Sequence, residues 1–169
     1  MSAPLSPPEP LTGDHRVDSF DSGEPVLDDW LKRRARANQA SGASRTYVVC
    51  KGKQVAGYYA LASGAIAQAG VPGKFRRNMP DPIPVVVLAR VAVNRNRQRR
   101  GLGRSMFRDA AFRVIQAADT IGIRGIVVHA ISEDARRFYI ALGFDPCAVE
   151  ATTLMVGLRD LRAALEARS

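Results

Sequence analysis

The sequence predicts a single domain of mixed α/β class, and three observations carry that expectation. Strand-like and helix-like periodicities alternate through the second half of the chain, two short strand-like runs precede them, and 169 residues at 46% hydrophobic and 24% charged suffice for one core. The longest apolar runs, such as Val85-Val86-Val87-Leu88-Ala89, have strand length and fall far short of the roughly 20 residues that span a bilayer. Composition also argues against a disordered chain, a collagen-like fibre and a coiled coil. The domain is expected to occupy residues 1–169, with the Pro-rich stretch 1–10 as a loose N-terminal arm.

The elements follow in order. A helix is expected to start near Ser22-Gly23-Glu24-Pro25, with Ser22 or Gly23 as cap and Pro25 in the first turn. Val26, Leu27, Trp30, Leu31 and Ala37 fall on its inward face, Lys32, Arg33 and Arg36 lie opposite, and Arg34 sits within the apolar stripe. Thr46–Cys50 and Gln54–Ala62 read as an antiparallel hairpin turning at Lys51-Gly52-Lys53. Residues 64–84 are too rich in glycine and proline for regular structure. Pro84–Val93 reads as a buried central strand and Gly101–Asp119 as a long amphipathic helix. Arg124–His129 is a further strand, Ser132–Leu142 a helix, Cys147–Val149 and Thr153–Leu158 are final strands, and Arg159–Arg168 is a short terminal helix. Together they form a mixed central sheet with helices on both faces.

Charge is unevenly distributed. Of 25 basic residues 21 are arginine. Residues 1–29 carry seven acids and one base, whereas residues 30–169 carry 24 bases and nine acids, a net of +15. A basic body of that size suits an anionic partner, and arginine suits bidentate phosphate contact. The first 29 residues lack the apolar stretch of a secretory signal, and Cys50 and Cys147 lack metal-ligand spacing and are too few for a disulfide framework. A reduced, cytoplasmic protein with no metal and no membrane partner is expected. Cys50 reads as packing and His129 as a structural strand-end histidine.

The segment with the clearest chemistry is Gln98-Arg99-Arg100-Gly101-Leu102-Gly103, between the central strand and the long helix. Glycines let backbone approach a ligand, and a helix N-terminus offers unpaired N–H groups and a positive dipole end. Such a junction can cradle a pyrophosphate. The dinucleotide fingerprint needs a third glycine or alanine where Met106 stands, and a nucleotide phosphate loop needs Gly-Lys-Ser/Thr; neither is present.

Gln-x-x-Gly-x-Gly after a Val-rich strand resembles the acetyl-coenzyme A motif of the GNAT acetyltransferases. Ala135-x-x-x-Tyr139-x-x-x-Gly143-Phe144 resembles the same family's second motif, with Ser132 where many members have asparagine. The combination of Val26-Leu27-Asp28-Asp29-Trp30-Leu31, Arg45-Thr46-Tyr47-Val48-Val49, residues 76–93 and Val128-His129-Ala130 is similar to the GNAT toxins of bacterial toxin–antitoxin modules, over roughly residues 9–158.

That resemblance implies a GNAT fold and transfer of the acetyl group of acetyl-coenzyme A to the α-amine of aminoacyl-tRNA, which stops translation. It implies that Val91, Ala92 and Val93 lie along the pantetheine arm, and that Gln98, Arg99, Arg100, Gly101, Leu102, Gly103 and Arg104 surround the pyrophosphate. Tyr139 is implied as the acid that protonates the departing thiolate. Lys32, Arg33, Arg36, Arg45, Arg76, Arg77 and Arg90 are the bases expected at tRNA. A homodimer and an antitoxin with a ribbon–helix–helix part are implied partners. The alternatives are a GNAT enzyme acting on a protein N-terminus or small amine, and an inactive nucleic-acid-binding module. The absence of an evident general base favours an α-amine, whose reference pKa of about 7.7–8.0 leaves part of it neutral at pH 7, over a lysine amine near 10.4.

Overall fold

The computed structural model describes residues 4–166 of the chain. Among them the elements run β1 (Glu9–Pro10), α1 (Pro25–Arg33), α2 (Ala35–Ser41), β2 (Arg45–Lys51), β3 (Gln54–Ile66), α3 (Gly73–Arg76), β4 (Ile83–Val93), α4 (Leu102–Ala117), β5 (Gly125–His129), α5 (Glu133–Ala141), β6 (Asp145–Pro146), β7 (Thr153–Gly157) and α6 (Leu158–Glu166). The strands form one mixed sheet in the order β1-β2-β3-β4-β5-β7-β6. β4 and β5 are parallel, while β1–β2, β2–β3, β5–β7 and β6–β7 are antiparallel. No helix among the described residues is long and apolar enough to cross a membrane.

The chain divides into two compact units, Met1–Ala62 with Ala89–Ala110, and Ser63–Leu88 with Ala111–Ser169. β3, β4 and α4 each run from one unit into the other.

In the first unit the expected hairpin forms, because β-branched and aromatic residues alternate through β2 and Gly52 takes the left-handed turn at φ +62°. Its core gathers Phe20, Leu27, Leu31, Val48, Tyr58 and Ala92. Phe20, Leu27, Leu31 and Val48 each contribute about 1.5–3 kcal/mol on removal from water. The expected single helix is two. Arg34, at φ −121° and ψ −32°, interrupts it, and Arg34 is exposed rather than held in the apolar stripe. Leu27, Leu31 and Ala35 take the inward positions at fourfold spacing, while Val26 and Ala37 face solvent. Ser22 caps nothing in the ordinary sense. The cap position is Glu24, and the Ser22 hydroxyl donates to Asp28 Oδ1 at 2.6 Å.

The N-terminal arm is also corrected. Residues 1–3 lie outside the described residues, but Glu9 and Pro10 pair with Val48 and Tyr47, and the Ser6 amide donates to the Cys50 carbonyl at 2.8 Å. Proline is compatible with an edge strand because an outward position needs no N–H.

In the second unit Val71, Phe75, Ile83, Val85, Val127 and Met155 form the core. The irregular stretch contains one short helix, α3. The strand expected at Cys147–Val149 is displaced to Asp145–Pro146, with Cys147 N–H donating to the Thr153 carbonyl at 2.8 Å. α6 begins at Leu158, which the sequence assigned to the preceding strand.

Candidate active site

The Gln98–Arg104 loop belongs to the first unit, where it is fastened at both ends. At its start the Asn94 N–H donates to the Ala56 carbonyl, and the Asn94 side chain accepts from the Asp21 N–H, both at 2.8 Å. Arg95 returns the contact, donating its N–H to the Asp21 carbonyl and its Nε to Asp21 Oδ1. That guanidinium, with the Gly23 N–H, holds the Asp21 carboxyl below its ordinary range. The Gln98 amide donates to the Val93 carbonyl at 2.8 Å and the Ser22 carbonyl at 2.7 Å. Gln98 thus clamps the loop to the end of β4 and to the segment before α1. Asp21, Ser22 and Asn94 are site-supporting residues that sequence reasoning missed. The bonds from Asp21 and Ser22 to Asn94, Arg95 and Gln98 span more than 70 positions, and the Asn94-x-x-x-Gln98 spacing carries no independent signal.

At its far end the loop enters α4, whose Ser105 N–H is the first to reach back, to the Gly101 carbonyl at 3.0 Å. The N–H groups of the preceding turn are left for a ligand. Arg99 at φ +63° and Gly101 at φ +84° turn the backbone through the left-handed region, and a side chain at Gly101 would meet no atom within 4 Å. For Arg99, which is not glycine, that conformation costs of order 1 kcal/mol and is typical of ligand-holding loops. Arg99, Arg100 and Arg104 are exposed around this turn. Gly57 on β3 lets the first turns of α4 approach, since a Cβ there would stand 3.1 Å from Met106 and 3.3 Å from Leu102. Val91 and Val93 are half-buried and Ala92 buried at the end of β4.

Tyr139 belongs to the second unit, on α5. The Ser132 hydroxyl starts that helix, accepting from the Ala135 N–H at 3.1 Å. Gly143, at φ +104°, ends it and turns the chain so that the Phe144 N–H reaches the Tyr139 carbonyl at 3.1 Å. The ring of Phe144 then meets Tyr139 edge-on at 5.4 Å, as Phe138 does from the other side in sequence. The Ala-x-x-x-Tyr-x-x-x-Gly-Phe spacing therefore has a local cause. Tyr139 is 7% exposed, and among the described residues nothing hydrogen-bonds its hydroxyl. Burial pushes its pKa up to about 12, so the phenol stays protonated throughout the neutral range.

The basic residues separate into engaged and unengaged. Arg36 donates to the carbonyls of Thr12 and His15, and Arg45 to the Gln39 carbonyl at 2.7 Å. Arg90 lies over the Trp30 ring at 4.4 Å. Lys32 and Arg33 are exposed in the last turn of α1. In the second unit Arg76 and Arg77 are exposed at the end of α3. Arg77 also lines a cavity of about 760 Å³ with Lys74, Phe75, Arg124 and Met155, which holds none of the motif residues. There Lys74 pairs with Asp160 and Asp145.

Cys50 is buried, and burial followed by the nearby Glu9 carboxylate raises its pKa to about 11. It shares its surroundings with His15 and Glu9. The Thr12 N–H donates to His15 Nδ1 at 2.9 Å, which places the ring hydrogen on Nε2, facing Glu9 Oε1 at 2.8 Å. With both nitrogens so used, His15 is no base for the thiol. His129 meets Thr153 Oγ1 at 3.1 Å.

A mixed seven-stranded sheet, with an arginine-rich glycine turn leading into the helix after β4, defines the class of N-acetyltransferases. The acetyltransferase (GNAT) domain model matches residues 42–146, and the chain belongs to the GNAT family. More narrowly, the chain is similar to a tRNA-acetylating toxin of Mycobacterium tuberculosis, 49% identical over 158 residues that cover 94% of this chain and 95% of the relative. It is also similar to the solved structure of AtaT complexed with acetyl-methionyl-tRNAfMet, at 29% identity and TM-score 0.88, covering 95% and 98% of the two chains. The structure of AtaTR bound with AcCoA aligns at 31% identity and TM-score 0.83, over 94% and 96%.

Proposed function

We propose that this chain is a toxin that moves the acetyl group of acetyl-coenzyme A to the α-amine of aminoacyl-tRNA and so blocks translation. The observation that carries this reading is the similarity, along nearly the whole of both chains, to the tRNA-acetylating toxin. The likeness to a neighbour holding acetyl-methionyl-tRNA supports the acceptor, and that to a neighbour holding AcCoA supports the donor. The surplus of bases outside the first 29 residues agrees with a polyanionic acceptor.

Acetyl-coenzyme A, when bound, supplies an acetyl thioester. The backbone N–H groups of residues 101–104, with Arg99, Arg100 and Arg104, would hold its pyrophosphate, and the backbone of Val91, Ala92 and Val93 would hold its pantetheine arm. Gln98 acts here as a clamp on the loop through its two bonds to carbonyls. Tyr139 would deliver its proton to the leaving sulfur. A thiol has a pKa of about 8.5, so transfer from a phenol at about 12 is uphill and needs direct contact between the two groups. What burial provides is a proton that is always in place. The α-amine is partly neutral at pH 7 and needs only water as its base.

The chain is proposed to act as a single catalytic domain, as a homodimer in the cytoplasm, under the control of an antitoxin with a ribbon–helix–helix DNA-binding part. Neighbouring structures of the toxin fold include AtaT bound to the C-terminus of the antitoxin AtaR. The deciding experiment is a single-turnover reaction of the purified chain with labelled acetyl-coenzyme A and charged tRNA. Label on the aminoacyl group is expected, with none on uncharged tRNA. Transfer only to free amines or protein N-termini would contradict the reading, as would tRNA binding without transfer.

A further inference from the structure

We propose that Trp30 is a positioning residue for the acceptor. It fixes the Arg90 guanidinium so that Arg90 binds the last phosphodiester of tRNA, next to the aminoacyl ester. The proposal rests on aminoacyl-tRNA as the acceptor and on Val91–Val93 as the thioester-side strand, and it adds the group that recognises the acceptor there.

Arg90 lies on β4, one residue before Val91. Its Cζ stands 4.4 Å from the centroid of the Trp30 ring. Among the described residues it has no hydrogen bond or ion pair, so its five N–H donors are unspent. Other arginines of the same unit are used differently. Arg36 and Arg45 are spent on backbone carbonyls and Arg95 on Asp21. Arg90 is instead held by its face, which leaves the donor-bearing edge available.

The ring that holds it is fixed from the core outward. Trp30 stacks on Tyr58, with centroids 5.9 Å apart and planes 12° apart. Tyr58 meets Phe20 edge-on at 5.6 Å, and its hydroxyl donates to the Leu27 carbonyl at 2.6 Å. Phe20 and Tyr58 are 1% and 0% exposed. A guanidinium held by stacking is pre-ordered, and its fork matches the paired oxygens of a phosphodiester. With one face toward Arg90 and stacked on Tyr58, Trp30 is not a platform for a nucleobase.

The chemistry of the acceptor decides which anion this is. The amine that attacks must reach the thioester near Val91–Val93, and in aminoacyl-tRNA the anion nearest that amine is the phosphodiester before the terminal adenosine. A small amine or a protein N-terminus brings no such group.

Two acceptors separate the possibilities: 3′-aminoacyl-adenosine, which has the α-amine and no phosphodiester, and 3′-aminoacyl-cytidylyl-adenosine, which adds one. Wild type is expected to prefer the second by about tenfold or more in kcat/KM, chiefly through KM, as a charged hydrogen-bond pair gives. Arg90→Ala and Trp30→Leu should lose that preference, Trp30→Phe should restore most of it, and acetyl-coenzyme A affinity by calorimetry should stay within about twofold in all. Adding Trp30→Leu to Arg90→Ala should have no further effect on KM, since the two act as one unit. A Trp30→Leu enzyme that keeps the preference overturns the proposal. So does one that weakens both acceptors and acetyl-coenzyme A equally, which marks a merely structural tryptophan. No transfer to either acceptor by the wild type overturns both this proposal and the aminoacyl-tRNA reading. Transfer to both with equal efficiency overturns this proposal alone.

Discussion

Each unit of the chain buries at least one tyrosine, and Tyr58 and Tyr139 are buried in different ways. Tyr58, in the first unit, is fully enclosed and its hydroxyl is spent on the Leu27 carbonyl at 2.6 Å. Tyr139, in the second, is nearly as enclosed and its hydroxyl has no partner among the described residues. Burial raises the pKa of both, that of Tyr139 to about 12. The same residue type therefore serves two ends. A buried hydroxyl with a partner adds rigidity, whereas the Tyr139 hydroxyl, on a buried ring and with no protein partner among the described residues, is left available for the proposed proton transfer. Other polar groups of the first unit are partnered as well, Ser22 with Asp28, Gln98 with two carbonyls and His15 with Thr12 and Glu9, whereas the buried Ser44 and Thr46 hydroxyls of the same unit are not.

The largest effect that tests this contrast is Tyr139→Phe. It keeps the ring contacts with Phe138 and Phe144 and removes only the proton, so turnover should fall about 10²–10⁴-fold with acetyl-coenzyme A affinity nearly unchanged. Thermal stability should hold, since the hydroxyl removed has no hydrogen-bond partner among the described residues. A variant with more than about half of wild-type turnover would take Tyr139 out of the mechanism.

A second test uses pH. The Cys50 thiol has its pKa raised from 9.0 to about 11 in the folded chain. Above pH 9 the unfolded chain releases this proton and the folded chain keeps it, so the stabilisation is complete below pH 9 and is lost as pH rises through 11. The fall approaches 1.4 kcal/mol per pH unit in that window. Tyr139 should add a similar fall between pH 10 and 12. Cys50→Ala should flatten the first part in chemical denaturation, and an unchanged slope would contradict the burial argument.

Third, Gly103→Asp sets a side chain and a negative charge in the first turn of α4, and should raise the acetyl-coenzyme A dissociation constant at least about tenfold. Calorimetry on the folded variant decides it, and unchanged affinity would put the pyrophosphate elsewhere. The smallest effect belongs to Tyr58→Phe. Loss of its bond to Leu27 should cost about 0.5–1.5 kcal/mol, a few degrees in Tm, with turnover intact. A variant that keeps its Tm and loses turnover more than about tenfold would erase the contrast between the two tyrosines.

Much of this was legible in the sequence because its causes are local. The β2–β3 hairpin follows from alternation and Gly52, and α5 from its Ser132 cap and its Gly143 stop. The glycine loop before α4 is legible for the same reason. What was not legible depends on partners distant in sequence. The helix break at Arg34 leaves no local mark, and the spacing of Val26 and Ala37 suits an unbroken helix as well as the real one. Proline between residues 4 and 10 reads as a loose arm until the β2 edge is there to receive it. Gln98 reads as a cofactor contact, and its clamp on the loop shows only once the carbonyls of Ser22 and Val93 are beside it.

The central claim is that the Tyr139 hydroxyl gives its proton to the leaving sulfur, and the leaving group itself can test it. An acetyl selenoester of coenzyme A keeps the whole recognition scaffold but departs as a selenolate, a far weaker base than a thiolate that needs no proton. Single-turnover rates of wild type and Tyr139→Phe would be measured on charged tRNA with each donor. The account predicts a defect of about 10²–10⁴-fold with the thioester that shrinks to less than about tenfold with the selenoester. An equal defect with both donors would contradict proton donation and leave Tyr139 only a packing role.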